Sequence, residues 1–182
     1  ATTEITQTFF NARSDTLEGE WVIRIPSGAI VQSFAVDLGY GFQEATPAAV
    51  GLQQGYQTMW MGPEMQESRL VFDGPERLRA RIHPIQPGAS VQVRLRYTEW
   101  LERTGNRRTY TYPMRSDGTP PLLSELVLDV DLAQANAGSV RAGMGAITEQ
   151  GHVVLRGSDL RPHADFVLDL IDRAPQASDD LV

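Results

Sequence analysis

The sequence predicts an all-β protein, an antiparallel β-sandwich with one irregular or short-helical insertion at about residues 45–67. Apolar and polar residues alternate along most of the chain, the period of strands that bury one face. Turn-forming Pro and Gly residues separate these runs at intervals of about eight to twelve residues, a spacing typical of sandwiches. Many short strands joined by such turns favour two packed sheets.

The first three predicted strands each place large apolar side chains on one face. These are Ile5 and Phe9, then Trp21, Ile23 and Ile25, then Phe34, Val36 and Leu38. The second strand is joined to the third by a Pro-Ser-Gly-Ala turn, and the pair is predicted to be a hairpin. Trp21 and Trp100 are both expected in the core.

The predicted strands continue after the insertion. They cover residues 68–73, 77–82, 91–97, 126–132, 152–156 and 164–170. A Pro-Gly turn at residues 86–89 joins two of them in a second predicted hairpin. Residues 113–125 are predicted to be a connector, and 174–182 a linker to a missing downstream region. The sequence thus indicates one domain over 1–173.

Several of these phrases resemble the VIT domain, the module of vault proteins and inter-alpha-trypsin inhibitor heavy chains. Gln7-Thr-Phe-Phe-Asn11 is similar to its opening strand. Glu20 and Trp21, followed by Ile25-Pro-Ser-Gly-Ala-Ile-Val31 and Phe34, resemble its next phrase. Its later marks are matched by Pro87-Gly88, Val91, Val93, Tyr97 and Leu101, and then by Asp165-Phe-Val-Leu168. The matches cover most of the chain in the family's order.

The resemblance implies a non-enzymatic interaction or scaffolding domain of a larger protein. We expect that protein to be bacterial, extracytoplasmic (periplasmic, secreted or membrane-anchored) and to carry a further domain downstream. The chain departs from the family at 45–67, where a helical stretch is replaced by Gly-, Gln- and Met-rich sequence. It also lacks the Asp-x-Ser-x-Ser phrase of the von Willebrand A domains that often accompany this family.

Composition excludes several classes of function. The net charge is −7, and residues 113–182 carry 11 acidic against 5 basic residues, which disfavours a nucleic-acid partner. Cysteine is absent, so disulfides and thiol catalysis are excluded. No apolar run is long enough for a transmembrane helix.

We predict no catalytic, cofactor-binding or metal-ligating residue. His83, His152 and His163 have no metal-binding spacing and are interpreted as structural or surface residues. Two pairs of carboxylates recur along strands and are interpreted as solvated outward faces: Asp129 with Asp131, and Asp165 with Asp169. A hydrolase using Ser158 and His163 is a distant alternative, since no nucleophile elbow is present.

Four arginines form a possible partner surface: Arg79, Arg81, Arg94 and Arg96. In a hairpin, like charges would oppose each other across the two strands, which is destabilising. An acidic strand could interleave with them, and the candidates are Glu18 with Glu20 or Asp129 with Asp131. The alternative is an anionic partner docked on this face.

The insertion provides a second possible partner surface, made of Tyr56, Met59, Trp60 and Met61. Met and aromatic side chains suit adaptable protein recognition, although a lid over one end of the sandwich would use the same residues. If Tyr56 and Trp60 are exposed, they could instead stack on sugars. A carbohydrate-binding module is therefore the alternative function.

Overall fold

A computed structural model describes residues 1–47, 59–60, 69–74, 76–115 and 118–173. All regular secondary structure in these ranges is β, which confirms the predicted all-β class. The chain divides into two compact units, Ala1–Trp100 and Leu101–Val182. Each unit is a small antiparallel β-sandwich, and the single domain over 1–173 stays a prediction. The described residues contain no apolar helix of membrane-spanning length.

The described residues of the first unit form nine strands in two antiparallel sheets. The strands are β1 (Thr2–Phe10), β2 (Leu17–Arg24), β3 (Ile30–Asp37), β4 (Gln43–Glu44), β5 (Thr46–Pro47), β6 (Met59–Trp60), β7 (Arg69–Phe72), β8 (Arg77–Ile85) and β9 (Ser90–Thr98). Sheet A has the order β1-β9-β3-β4, and sheet B has the order β2-β8-β7-β6-β5. Strands β1 and β2, which follow each other in the chain, are therefore edges of different sheets.

The core of this unit lies between the two sheets. Alternate residues of the long strands, such as β2 and β9, point inward, so the period-two pattern of the sequence becomes one buried face on each of them. The ring of Trp21 on sheet B lies 5.6 Å from that of Phe34 on sheet A. Val36, Val93 and Leu95 are completely buried between the sheets.

The two Pro/Gly turns join one sheet to the other, so both predicted hairpins are wrong. One turn connects β2 in sheet B to β3 in sheet A. The other connects β8 in sheet B to β9 in sheet A. In each, the N–H of the last turn residue donates to the carbonyl of the first at 3.1 Å. Gly28 and Gly88 take positive φ angles of 76° and 67°, which the third position of such a turn requires.

The insertion is strand where the structure describes it. Residues 46–47 form β5 and 59–60 form β6, which pair antiparallel and extend sheet B through β7. The short-helical alternative is not seen in these residues, and 48–58 and 61–68 lie outside the described part of the chain.

The second unit also consists of two antiparallel sheets. Its strands are β10 (Arg103–Thr104), β11 (Arg107–Tyr112), β12 (Leu123–Asp131), β13 (Ala137–Ala142), β14 (Ile147–Glu149), β15 (His152–Leu160) and β16 (Phe166–Asp172). Sheet C has the order β10-β11-β16-β13, and sheet D has the order β12-β15-β14. Tyr110, Phe166 and Leu168 of sheet C and Leu128 and Val153 of sheet D share one core. The predicted linker, 174–182, lies outside the described residues.

Candidate functional site

Arg79 and Arg81 lie on the outer face of sheet B among acidic partners. Arg79 donates to Glu20 at 2.9 Å and to Asp73 at 2.8 Å. Arg81 Nε donates to Glu18. The predicted interleaving with Glu18 and Glu20 is confirmed, because β2 pairs with β8 in the register that sets these residues beside each other.

These ion pairs shift the titration of the groups involved. The hydrogen bond from Arg79 lowers the pKa of Asp73, and that from Arg81 lowers the pKa of Glu18. Asp73 in turn raises the pKa of Arg79. An anionic partner docking here would have to displace carboxylates already in place, so this face is a weak candidate for one.

Arg94 and Arg96 lie on β9, on the outer face of sheet A. The Arg94 guanidinium lies 4.2 Å from the centre of the Phe42 ring and 3.9 Å from the Glu44 carboxylate. Arg96 is exposed. Because β8 and β9 belong to different sheets, the predicted four-arginine surface is divided between opposite faces of the sandwich.

The predicted aromatic and Met surface stays a prediction. Tyr56 and Met61 lie outside the described residues, and only the main chain of Met59 and Trp60 is described, as β6. Trp100 is 91% exposed, so its predicted place in the core is wrong. It follows the end of β9, where the strand alternation no longer applies.

A separate feature, an apolar cleft, opens at the edge of the first unit between β1 and β2. Phe9 and Phe10 of β1 line one side, and residues 17–21 of β2 line the other. The buried Ile85 and Val91 lie at its base. The cleft has a cavity volume of about 180 Å³.

The β2 side of the cleft includes Gly19, an inward position without a side chain. Leu17, Gly19 and Trp21 point toward the core, and a β-bulge falls between Leu17 and Gly19. A Cβ at Gly19 would lie 3.0 Å from Ile85 Cδ1, at the cleft wall. Phe9, on the β1 side of the cleft, is 42% exposed although it belongs to the inward face of β1.

Asn11, which is buried, joins the end of β1 to the loop before β2 and to the turn at residues 86–89, and these three segments are called the cleft frame. Its side-chain amide donates to the carbonyls of Asp15, Ile85 and Gln86 at 2.9, 3.1 and 3.2 Å. Its main-chain carbonyl accepts from Gly88 N–H at 2.9 Å. The end of β1 is thereby tied both to the loop before β2 and to the turn between β8 and β9.

In the second unit, His152 has an acidic neighbourhood. Its Nδ1 lies 2.7 Å from Asp129 Oδ1, and this hydrogen bond raises the pKa of His152. Asp131 and Glu149 are its cross-strand neighbours and raise the pKa further. All of these groups are on sheet D, at an exposed surface.

The remaining predicted candidates do not gather into one site. Asp165 accepts the main-chain N–H groups of Met114 and Arg115, each at 2.9 Å. Asp169 accepts the Thr109 hydroxyl at 2.7 Å. Ser158 pairs with Glu125 in the β12–β15 ladder, and His163 is an exposed residue beyond β15.

The cleft is a candidate binding site that the sequence does not predict. Two signals for it were present: a glycine at an inward position of an alternating strand, and a Phe-Phe pair at the end of another. No protein-family model matches the chain, and no curated protein gives a significant match. The cleft is therefore the feature of the chain that bears most directly on function.

Proposed function

We propose that the chain is a non-enzymatic protein-interaction or scaffolding module, similar to a VIT domain, within a larger exported or membrane-anchored bacterial protein. The observation that carries the proposal is the apolar cleft between β1 and β2. Its two phenylalanines are accessible to a partner, since Phe9 is 42% and Phe10 is 65% exposed.

An accessible pair of aromatic rings beside a concave apolar surface favours binding. Large apolar groups left in water at one place commonly mark protein contact sites. Aromatic side chains supply much of the binding free energy in protein interfaces. The carboxylates at the rim, Glu18 and Glu20, are paired with arginines, so the surroundings of the cleft are polar and neutralised.

The residues that suggest a VIT domain also support the proposal. Asn11 and the turn at 86–89 form the cleft frame. Trp21, another of these residues, lines the cleft and packs on Phe34. These family-like phrases of the first unit thus coincide with the part that shapes the candidate site, whereas the phrase at residues 165–168 lies in the second unit.

The test uses the recombinant chain as bait in an extract of the source organism, with bound proteins identified by mass spectrometry. Phe10→Ser removes an exposed ring, and Gly19→Leu fills the cleft. Val22→Ser is the matched control, because Val22 is 45% exposed on the same strand but points away from the cleft.

We expect a partner that wild type and Val22→Ser retain and that Phe10→Ser and Gly19→Leu lose. Thermal melts check that each variant is folded. Equal retention by all four baits, or retention of no protein by wild type, would overturn the proposal.

A further inference from the structure

Strand β1 has an open hydrogen-bonding edge beside the cleft. Among the described residues it pairs with β9 alone. Asn11 N–H donates to Ala89 O at 3.0 Å, and Glu99 N–H donates to Ala1 O at 2.9 Å. In an antiparallel pair, the main-chain N–H and C=O groups of successive residues point alternately toward the partner strand and away from it. These two bonds therefore show that the main-chain groups of odd-numbered residues of β1 point toward β9. The main-chain groups of Thr8 and Phe10 therefore face the open edge.

This edge lacks the usual features that prevent strand addition. Edge strands are normally protected by charges, prolines or bulges. Residues 5–10 contain no charged residue and no proline, and their register with β9 is unbroken. Strand β2, the other edge at the cleft, has both a bulge at Gly19 and two glutamates, Glu18 and Glu20. Strand β1 is thus the edge suited to a new strand.

The cleft next to this edge is suited to one uncharged side chain. Phe9, Ile85 and Trp21 provide apolar walls around the open space, and Gly19 adds no side chain to it. The two carboxylates that line the cleft, Glu18 and Glu20, are already bonded to Arg81 and Arg79. A charged side chain that enters the cleft would lose its hydration and find no free opposite charge to pair with. Burial of an apolar side chain in the same place is favourable.

We propose that the cleft binds an extended segment of a partner protein, which pairs with the main chain of β1 at Thr8 and Phe10. One aromatic or large aliphatic side chain of that segment enters the space between Phe9 and Gly19. The proposal rests on the proposed interaction function and specifies its recognition mode, strand addition with a single apolar anchor.

The experiment uses the whole chain and defined peptides. The peptides are nonapeptides of alternating Thr and Val with a central Phe, Leu, Ala or Asp. Binding is followed by NMR, together with amide hydrogen exchange. We expect the Phe and Leu peptides to protect the amides of Thr8 and Phe10, and the Ala and Asp peptides to bind at least about tenfold more weakly. A Phe peptide N-methylated on the edge-facing amides should fail to bind.

Variants of the chain test the same main-chain pairing and the same side-chain contact in the cleft. Thr8→Pro removes an N–H that faces the open edge and leaves the bonds to β9 in place, which edge strands tolerate. Thr2→Pro makes the same change at the far end of β1. We expect Thr8→Pro and Gly19→Leu to lose binding of the Phe peptide, and Thr2→Pro to bind it as wild type does. If Thr8→Pro unfolds, the N-methylated peptide still tests the main-chain pairing.

Three results would overturn the inference. One is binding of the N-methylated peptide as tightly as its parent. Another is concentration-dependent dimerisation that protects Thr8 and Phe10 without peptide, which would make the occupant a second copy of the chain. The third is a bait partner that depends on Gly19 while no peptide binds, in which case the interaction function stands without strand addition. Failure of both experiments removes the proposed function itself.

Discussion

The indole N–H of Trp21 donates to the side-chain oxygen of Gln7 at 2.5 Å, and this contact joins sheet B to sheet A at the wall of the cleft. Trp21 is only 4% exposed, so its N–H depends on a protein acceptor. Gln7 takes an inward position on β1, between Ile5 and Phe9. The two edge strands of the first unit are thus held together by a polar contact as well as by apolar packing.

Gln7→Leu should lower the free energy of unfolding by about 1–2 kcal/mol, because it leaves the indole N–H of Trp21 without its acceptor. Urea unfolding measures the change. Gln7→Glu is the control, since it keeps an oxygen at the same place and should retain most of the stability. Equal stability of Gln7→Leu and wild type would mean that water replaces the glutamine.

Asn11→Ala should cost about 2–3 kcal/mol of folding free energy, because three carbonyls lose their donor at a buried position. Thr16→Ala is the matched control in the same loop. It removes only an exposed hydrogen bond to Gln86 and should change stability by less than about 0.5 kcal/mol. Urea unfolding of both variants measures the two free-energy changes. Equal changes would show that Asn11 does not anchor the loop.

Much of the first unit could be predicted from strand alternation. The pattern placed Trp21 and Phe34 correctly on inward faces, because a buried face requires an apolar residue at every second position. It could not show which sheet a strand joins, since turns of the same composition can close a hairpin or cross between sheets. The sequence therefore predicts the wrong partner for the strands on either side of residues 86–89, and it opposes like-charged arginines that lie on different sheets.

The candidate site was harder to predict for a related reason. Gly19 is informative only when the side chains around it are known, because its place in the cleft wall against Ile85 depends on the packing of β2 on β8. Phe9 has the sequence pattern of a core residue, and only the packing shows that it remains accessible. A cavity depends on contacts between strands that are distant in sequence, which periodicity alone does not contain.

Two glycines in strands should differ in their tolerance of alanine. Gly19→Ala should change the free energy of unfolding by less than about 1 kcal/mol, because the new Cβ meets only the mobile end of Ile85. Gly138→Ala should cost more, since its Cβ would lie 3.1 Å from Arg173 Cα, a main-chain atom that cannot rotate away. Urea unfolding of the two variants tests the order, and the reverse order would contradict the packing described at both positions.

Arg79→Gln should destabilise the chain at neutral pH and reduce the loss of stability in acid. Asp73 has a pKa below its usual 3.8 because Arg79 donates to it. A lowered carboxyl pKa stabilises the fold above pH 3.8, and this contribution is lost as the pH falls through the folded pKa. Thermal melts from about pH 2 to about pH 7 measure the effect, which salt should weaken.

Arg96→Gln is the control for this prediction, because it removes an exposed arginine from the opposite face of the same unit. Through the acid range, the melting temperature of Arg96→Gln should stay close to that of wild type. The melting temperature of Arg79→Gln should deviate more from wild type. If the two variants behave alike, the ion pairs of Arg79 do not account for the acid dependence.

His152 should make the second unit more stable on the acid side of neutrality. Its hydrogen bond to Asp129 raises its pKa above 6.5, so the charged imidazole stabilises the fold fully below pH 6.5. This contribution is lost as the pH rises from 6.5 through the folded pKa. Asp129→Asn should move the pKa of His152 back toward 6.5, and Asp131→Asn should move it less, because Asp131 acts only through its charge. NMR titration of the imidazole ring protons measures both shifts. A larger shift in Asp131→Asn than in Asp129→Asn would contradict the contact at 2.7 Å.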